Sequence, residues 1–134
     1  MRMLLIHAER FEYSVRERAL PSAEELDGLK PHLSLNNALV AFVTVEEGDE
    51  GDLASVSERA CDEIVEVLRR VRAGVVVVYP YAHLSNRLAS SAKALEALEA
   101  VERGLRARGV EVYRAPFGWY KEFMIRCYGH PLAE

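Results

Sequence analysis

Apolar and polar positions divide the chain into alternating strand-length and helix-length stretches. Residues 3–7 form a short apolar run, and Phe11, Tyr13 and Val15 then alternate with Glu12, Ser14 and Arg16, the period of a half-buried strand. These two segments are expected to make a hairpin. From 20 to 37 the pattern fades into Pro21, Gly28, Pro31 and scattered polar residues, which reads as loop or short irregular helix with no sign of chemistry. Residues 38–45 are nearly all apolar or β-branched, as in a strand covered on both faces, and the acidic run 46–52 reads as a solvated loop that ends it.

Two helical periods follow. Ser55 and Glu58 form a capping-box pattern, after which Val56, Ala60, Ile64, Val67, Leu68 and Val71 recur at helical spacing until Gly74 stops the helix. Four valines at 75–78 and Tyr79, bounded by Gly74 and Pro80, predict a central strand. Over 88–108, Leu88, Leu95, Leu98, Val101 and Leu105 mark one face and Gly109 closes the helix. A further strand is expected at 110–115 and, beyond Pro116-Phe117-Gly118, a returning antiparallel strand in which Phe123, Ile125 and Cys127 share a face.

Two strand–helix–strand crossovers are almost always right-handed, so strands 38–45, 75–79 and 110–115 should run parallel with both helices on one face. The predicted fold is a compact single α/β domain: a mixed β-sheet of five to six strands with two long helices packed on one face, and not a doubly wound sheet. The carboxyl ends of the parallel strands then share one rim, where α/β sheets bind their ligands. That rim receives Val45 and Glu46, the turn Pro80-Tyr81-Ala82-His83, and the segment from Ala115 to Lys121.

Composition narrows the picture. With 134 residues, half of them apolar, the chain fits one domain with an ordinary core. Its start carries only three consecutive strong apolar residues before His7, too few for a signal peptide or a membrane span, so a cytoplasmic protein is expected. Cys61 and Cys127 lie far apart and away from any zinc-ligand pattern, which suggests reduced, structural cysteines and no metal. A net charge of −4 argues against a free-standing binder of nucleic-acid backbone, so an RNA partner would be gripped locally or held by another domain.

Candidate chemistry concentrates on the rim. His83, three residues past a buried strand, can donate or accept a hydrogen bond to a substrate, although a lone loop histidine is more often structural. Lys121 falls on the parity of Phe123, a buried-face position where an ammonium is costly unless it meets a partner or lines a pocket. It can hold a hydroxyl, phosphate or carboxylate, or pair with Glu122 or Glu12 at the surface. Trp119 and Tyr120 can stack on a base or serve as packing anchors. His7 and His130 read as satisfied, structural histidines, and Glu134 as a solvated terminal acid. There is no nucleophile elbow, Cys–His pair or P-loop.

Four ordered motifs carry more than any one of them: Met-Arg-Met-Leu-Leu-Ile-His at 1–7, Val-Tyr-Pro-Tyr-Ala-His-Leu-Ser at 78–85, Ala-Pro-Phe-Gly-Trp-Tyr-Lys at 115–121 and Gly-His-Pro-Leu-Ala-Glu at 129–134. Together they resemble the amino-terminal editing domain of archaeal threonyl-tRNA synthetase over the whole chain. The resemblance implies a D-aminoacyl-tRNA deacylase-like fold, a homodimer, and removal of serine mischarged onto threonine tRNA, with no cofactor. It places His83, Lys121 and Glu134 in catalytic positions. It also places the main chain of Val45, Pro80, Ala82 and Phe117, and the side chain of Tyr120, in the substrate pocket. In that family a ribose hydroxyl of the tRNA is thought to assist the attacking water. Two departures stand out: Trp119 replaces an expected tyrosine, and the chain stops at Glu134 where the family continues into a linker and further domains, as in an excised module working with a synthetase in cis or in trans. The rival readings are a D-aminoacyl-tRNA deacylase and a non-catalytic dimerisation or tRNA-docking appendage.

Overall fold

A computed structural model of the chain describes residues 1–131; Glu134, one of the expected catalytic residues, lies outside the described residues. The elements are β1 (Arg2–Arg18), β2 (His32–Thr44), α1 (Leu53–Val71), β3 (Val75–Pro80), α2 (Ser91–Ala107), β4 (Val112–Arg114) and β5 (Trp119–Cys127). The five strands form one sheet in the order β4-β3-β2-β1-β5. β2, β3 and β4 are parallel, as expected, and β1 lies antiparallel between β2 and β5.

Both helices cover one face. Ala60 and Ile64 of α1 and Leu98, Val101 and Leu105 of α2 pack with Leu39, Ala41, Val43, Val76 and Val78. The opposite face carries a second cluster of Phe11, Tyr13, Val40, Phe42, Val77 and Tyr79, whose rings meet edge-on or tilted, with Phe42 and Tyr79 centroids 5.3 Å apart. β2 and β3 are therefore buried on both sides, which is why their sequences lose the alternation of a half-exposed strand.

The predicted hairpin within the first 15 residues is not formed. β1 is one strand of 17 residues, paired with β2 from Arg2↔Thr44 to Ser14↔His32. No Gly, Pro or Asn lies between its two apolar phases to turn the chain. The phases differ because the alternation steps at Glu9, opposite Asn37, whose left-handed φ of 49° makes the matching step in β2. Ala8 and Phe11 thus reach the same cluster despite their parity. For the same reason β2 begins at His32, inside the stretch read as loop.

The first helix also starts earlier than its capping-box pattern indicates: Asp52 is the N-cap, its carboxylate accepting the Ser55 N–H at 3.1 Å. The acidic run is not simply solvated. It winds a one-turn 3-10 helix, Glu47–Asp49, and buried Asp49 accepts the Met1 ammonium at 2.5 Å. His7 is satisfied between His130 Nε2 and Asn37 Oδ1, each at 2.7 Å. Cys61 is buried and Cys127 exposed, both free. Among the described residues no helix is long and apolar enough to cross a membrane.

Candidate active site

A cleft of about 550 Å³ opens where the carboxyl ends of β2 and β3 meet the start of β5. Val45, Pro80, Ala82, His83, Phe117, Tyr120 and Lys121, the described members of the predicted pocket, all line it. So do Thr44, Tyr79, Leu98, Ala19 and Leu20, which were not anticipated. The last two come from the stretch in which no chemistry was expected; its lack of periodicity hid them.

One wall is the turn after β3. Tyr81 N–H donates to Val43 O at 2.9 Å, extending the β2–β3 ladder, and a one-turn helix, Ala82–Leu84, follows. The Thr44 hydroxyl donates to Tyr81 O and accepts the Leu84 N–H at 3.3 Å, so one side chain closes both ends of the turn. Ser85 Oγ donates to Glu46 at 2.7 Å, and this bond holds the Glu46 carboxyl below the usual carboxylate range. His83 is exposed at the rim, its ring edge-on to Tyr81 with centroids 4.9 Å apart.

The other wall is the bend between β4 and β5. Gly118 has φ +82°, and a Cβ there would lie 2.7 Å from Ala23 Cα, so both the conformation and the close approach require glycine. Lys121 pairs across to Val15 and turns its side chain back under the bend: Nζ donates to Pro116 O and to Trp119 O, each at 2.8 Å, and lies 5.1 Å from the Tyr79 ring centroid. The surface pairings considered from sequence are absent, since Glu122 binds Arg16 and Glu12 binds Arg10. Burial lowers the Lys121 ammonium to about 8, against the attraction of the Glu24 carboxylate. An ammonium has three donors, so one remains for a ligand after two carbonyls are served. Trp119 is an anchor: its Nε1 donates to Glu24 O at 2.8 Å, and the Arg18 guanidinium lies 4.9 Å from its ring centroid. Tyr120, 59% exposed, stands at the mouth.

Fold and site together define a small α/β domain whose largely apolar cleft, at a strand rim, contains the partly buried Lys121 ammonium. Residues 1–134 match the model of the archaea-specific editing domain of threonyl-tRNA synthetase, and the chain belongs to that family. It is 53% identical to the threonine–tRNA ligase of Thermofilum pendens over 134 residues, all of this chain and 22% of that protein. It is 50% identical to the threonine–tRNA ligase editing subunit of Saccharolobus solfataricus, again over its whole length and 33% of that protein. Against the threonine–tRNA ligase of Pyrococcus furiosus the identity is 46%, covering 21% of the relative. The chain therefore spans about a fifth to a third of the length of the curated relatives it matches.

Proposed function

We propose that this domain proofreads threonine tRNA by hydrolysing L-serine from its 3′ end while sparing L-threonine. The reading is supported above all by the convergence of the 80–83 turn and Lys121 on one cleft in a chain of this family. The chemical need is plain: serine and threonine differ by one methyl, which gives a synthetic pocket only about 1–3 kcal/mol of discrimination, so a second, hydrolytic selection adds fidelity.

In the proposed reaction, a water oxygen bonds to the seryl carbonyl carbon, and the tetrahedral intermediate collapses by breaking the ester bond to the ribose oxygen. That oxygen leaves with a proton, and serine is released. The remaining Lys121 N–H reads the amino-acid end of the substrate, while His83 and Glu134 position substrate or water. Phe117 N–H is not available to the developing oxyanion because it donates to Glu24 Oε1 at 2.8 Å. The main-chain N–H groups at Ala82 and His83 take that role instead. We propose no metal or cofactor for the step, the rest of the synthetase as partner in cis or in trans, and a homodimer as the working unit.

Single-turnover deacylation of L-seryl- and L-threonyl-tRNA, on the same threonine tRNA, tests this directly. Fast release of serine with threonine spared is expected, and Lys121→Met should abolish the difference. Broad activity on D-aminoacyl-tRNAs with little on L-serine would instead identify a D-aminoacyl-tRNA deacylase. Binding of a seryl-adenosine analogue without turnover would identify a non-catalytic appendage.

A further inference from the structure

We infer that Glu24 is a positioning residue for Lys121: it locks the 116–119 bend, and with it the two carbonyls that hold the Lys121 ammonium. The inference rests on the reading that Lys121 addresses the substrate. Glu24 lies in the segment between β1 and β2, makes no hydrogen bond to Lys121 itself, and reaches the cleft only through Phe117 and Trp119 of its wall. Yet all four of its polar groups are committed to the bend or to the residue beneath it. Its N–H donates to Phe117 O at 3.1 Å, its C=O accepts Trp119 Nε1–H at 2.8 Å, and its Oε1 accepts Phe117 N–H at 2.8 Å. Its carboxylate also takes a two-pronged contact from Arg114, with Nη2 to Oε2 at 2.9 Å. Arg114, 7% exposed, is fixed from the other side by Glu102 of α2, Nε to Oε1 at 2.9 Å.

The carbonyls that receive Lys121 Nζ belong to Pro116 and Trp119, directly beside Phe117, and Trp119 also gives its indole N–H to Glu24. A residue clamped at Phe117 N, Phe117 O and the Trp119 side chain leaves those carbonyls little freedom. Ala23, adjacent in sequence, seats Gly118 by backbone contact. The same carboxylate supplies a field at the ammonium. Around Lys121 are the Tyr79 ring from β3, Val15 from β1, its strand neighbours Tyr120 and Glu122, the latter paired with Arg16, and Glu24 with Arg114 and Glu102 behind it. Glu24 attracts the Lys121 proton against the cost of burial.

Side-chain NMR titration of Lys121 tests the inference without any tRNA, so its outcome is separate from whether the domain hydrolyses seryl-tRNA. The chain has three lysines, Lys30, Lys93 and Lys121, which makes the signal assignable. Glu24→Gln keeps an oxygen for Phe117 N–H and removes the charge; the Lys121 midpoint should fall by about one pH unit while the Phe117 amide stays protected from exchange. Glu24→Asp keeps the charge and shortens the reach; Phe117 exchange should quicken about tenfold. It also serves as the deciding variant should Glu24→Gln not fold. A Lys121 midpoint unmoved in Glu24→Gln, or Phe117 exchange unmoved in Glu24→Asp where that variant decides, overturns the assignment.

Discussion

The two walls of the cleft are built by opposite means. The 80–85 turn continues strands that already pair, and a neutral hydroxyl, Thr44, closes it from the adjacent strand end. The 116–121 bend also leaves a paired strand, Ala115 N–H donating to Val78 O at 2.9 Å, but beyond that an ionic cluster of Glu24, Arg114 and Glu102 holds it, and Glu24 lies 93 residues earlier in the chain than Phe117. A turn that inherits its geometry from a sheet needs little beyond satisfied backbone groups. A bend that must present a buried ammonium needs fixed carbonyls and a counter-charge, and buried ions set geometry more than they add net stability. The wall that carries the buried ammonium is the one held by a buried ion cluster.

The largest effect should come from unbalancing the ionic wall. Arg114→Leu leaves the Glu24 carboxylate without its cation in a buried site, while Glu102 keeps Arg106 at 3.0 Å, and the domain should lose about 3–5 kcal/mol of stability in urea unfolding. On the other wall, Arg2→Ala removes a pair to Glu46 in which the Arg2 side chain is 63% exposed, and the loss should stay under about 1 kcal/mol. Equal losses from the two substitutions would mean that the walls do not differ in construction.

A second contrast lies in pH. Lys121 is held at about 8 in the folded domain, against an ordinary value of 10.5. Between those values the unfolded chain binds the proton and the native one does not, so the Lys121 contribution to stability rises with pH across this window and its penalty is fully present below about 8. The stability of wild type minus that of Lys121→Met should therefore grow by on the order of 2 kcal/mol from pH 7.5 to 10.5, after discounting for partial solvation. A difference that stays flat over that range would show the ammonium to be solvated rather than buried.

The same contrast explains what could be read from sequence. Residues 75–78 announce a central strand because β-branched residues without polar interruption have nowhere to go but a two-sided core. Lys121 could be singled out because its parity with Phe123 puts a charge on the sheet face of the aromatic cluster, although Phe123 itself, packed on Phe42 and Tyr79, is 42% exposed. The rim could be assembled because crossover handedness fixes which strand ends meet. The bond network of Glu24 had no such signal. One glutamate in an aperiodic stretch looks solvated until the fold brings β4 and α2 to it. The unbroken β1 was obscured for a related reason: the step at Glu9 and Asn37 is a paired backbone irregularity, and it resets the period that sequence reading relies on.

The smallest and sharpest test concerns Thr44, which is 2% exposed and serves two backbone groups of the neutral wall. Thr44→Val keeps the shape and removes the hydroxyl, leaving Tyr81 O without its donor and Leu84 N–H without its acceptor. Net hydrogen bonds of this kind are worth about 0.5–1.5 kcal/mol each, and both groups lie near the cleft where water can partly replace the hydroxyl, so a loss of about 1 kcal/mol is expected. The Leu84 amide should exchange faster, while the Lys121 titration midpoint should remain at about 8, because the carbonyls and the carboxylate that govern it belong to the other wall. If Thr44→Val moved that midpoint, the 80–85 turn and the 116–121 bend would be one mechanical unit, and the charge of Lys121 would report on both.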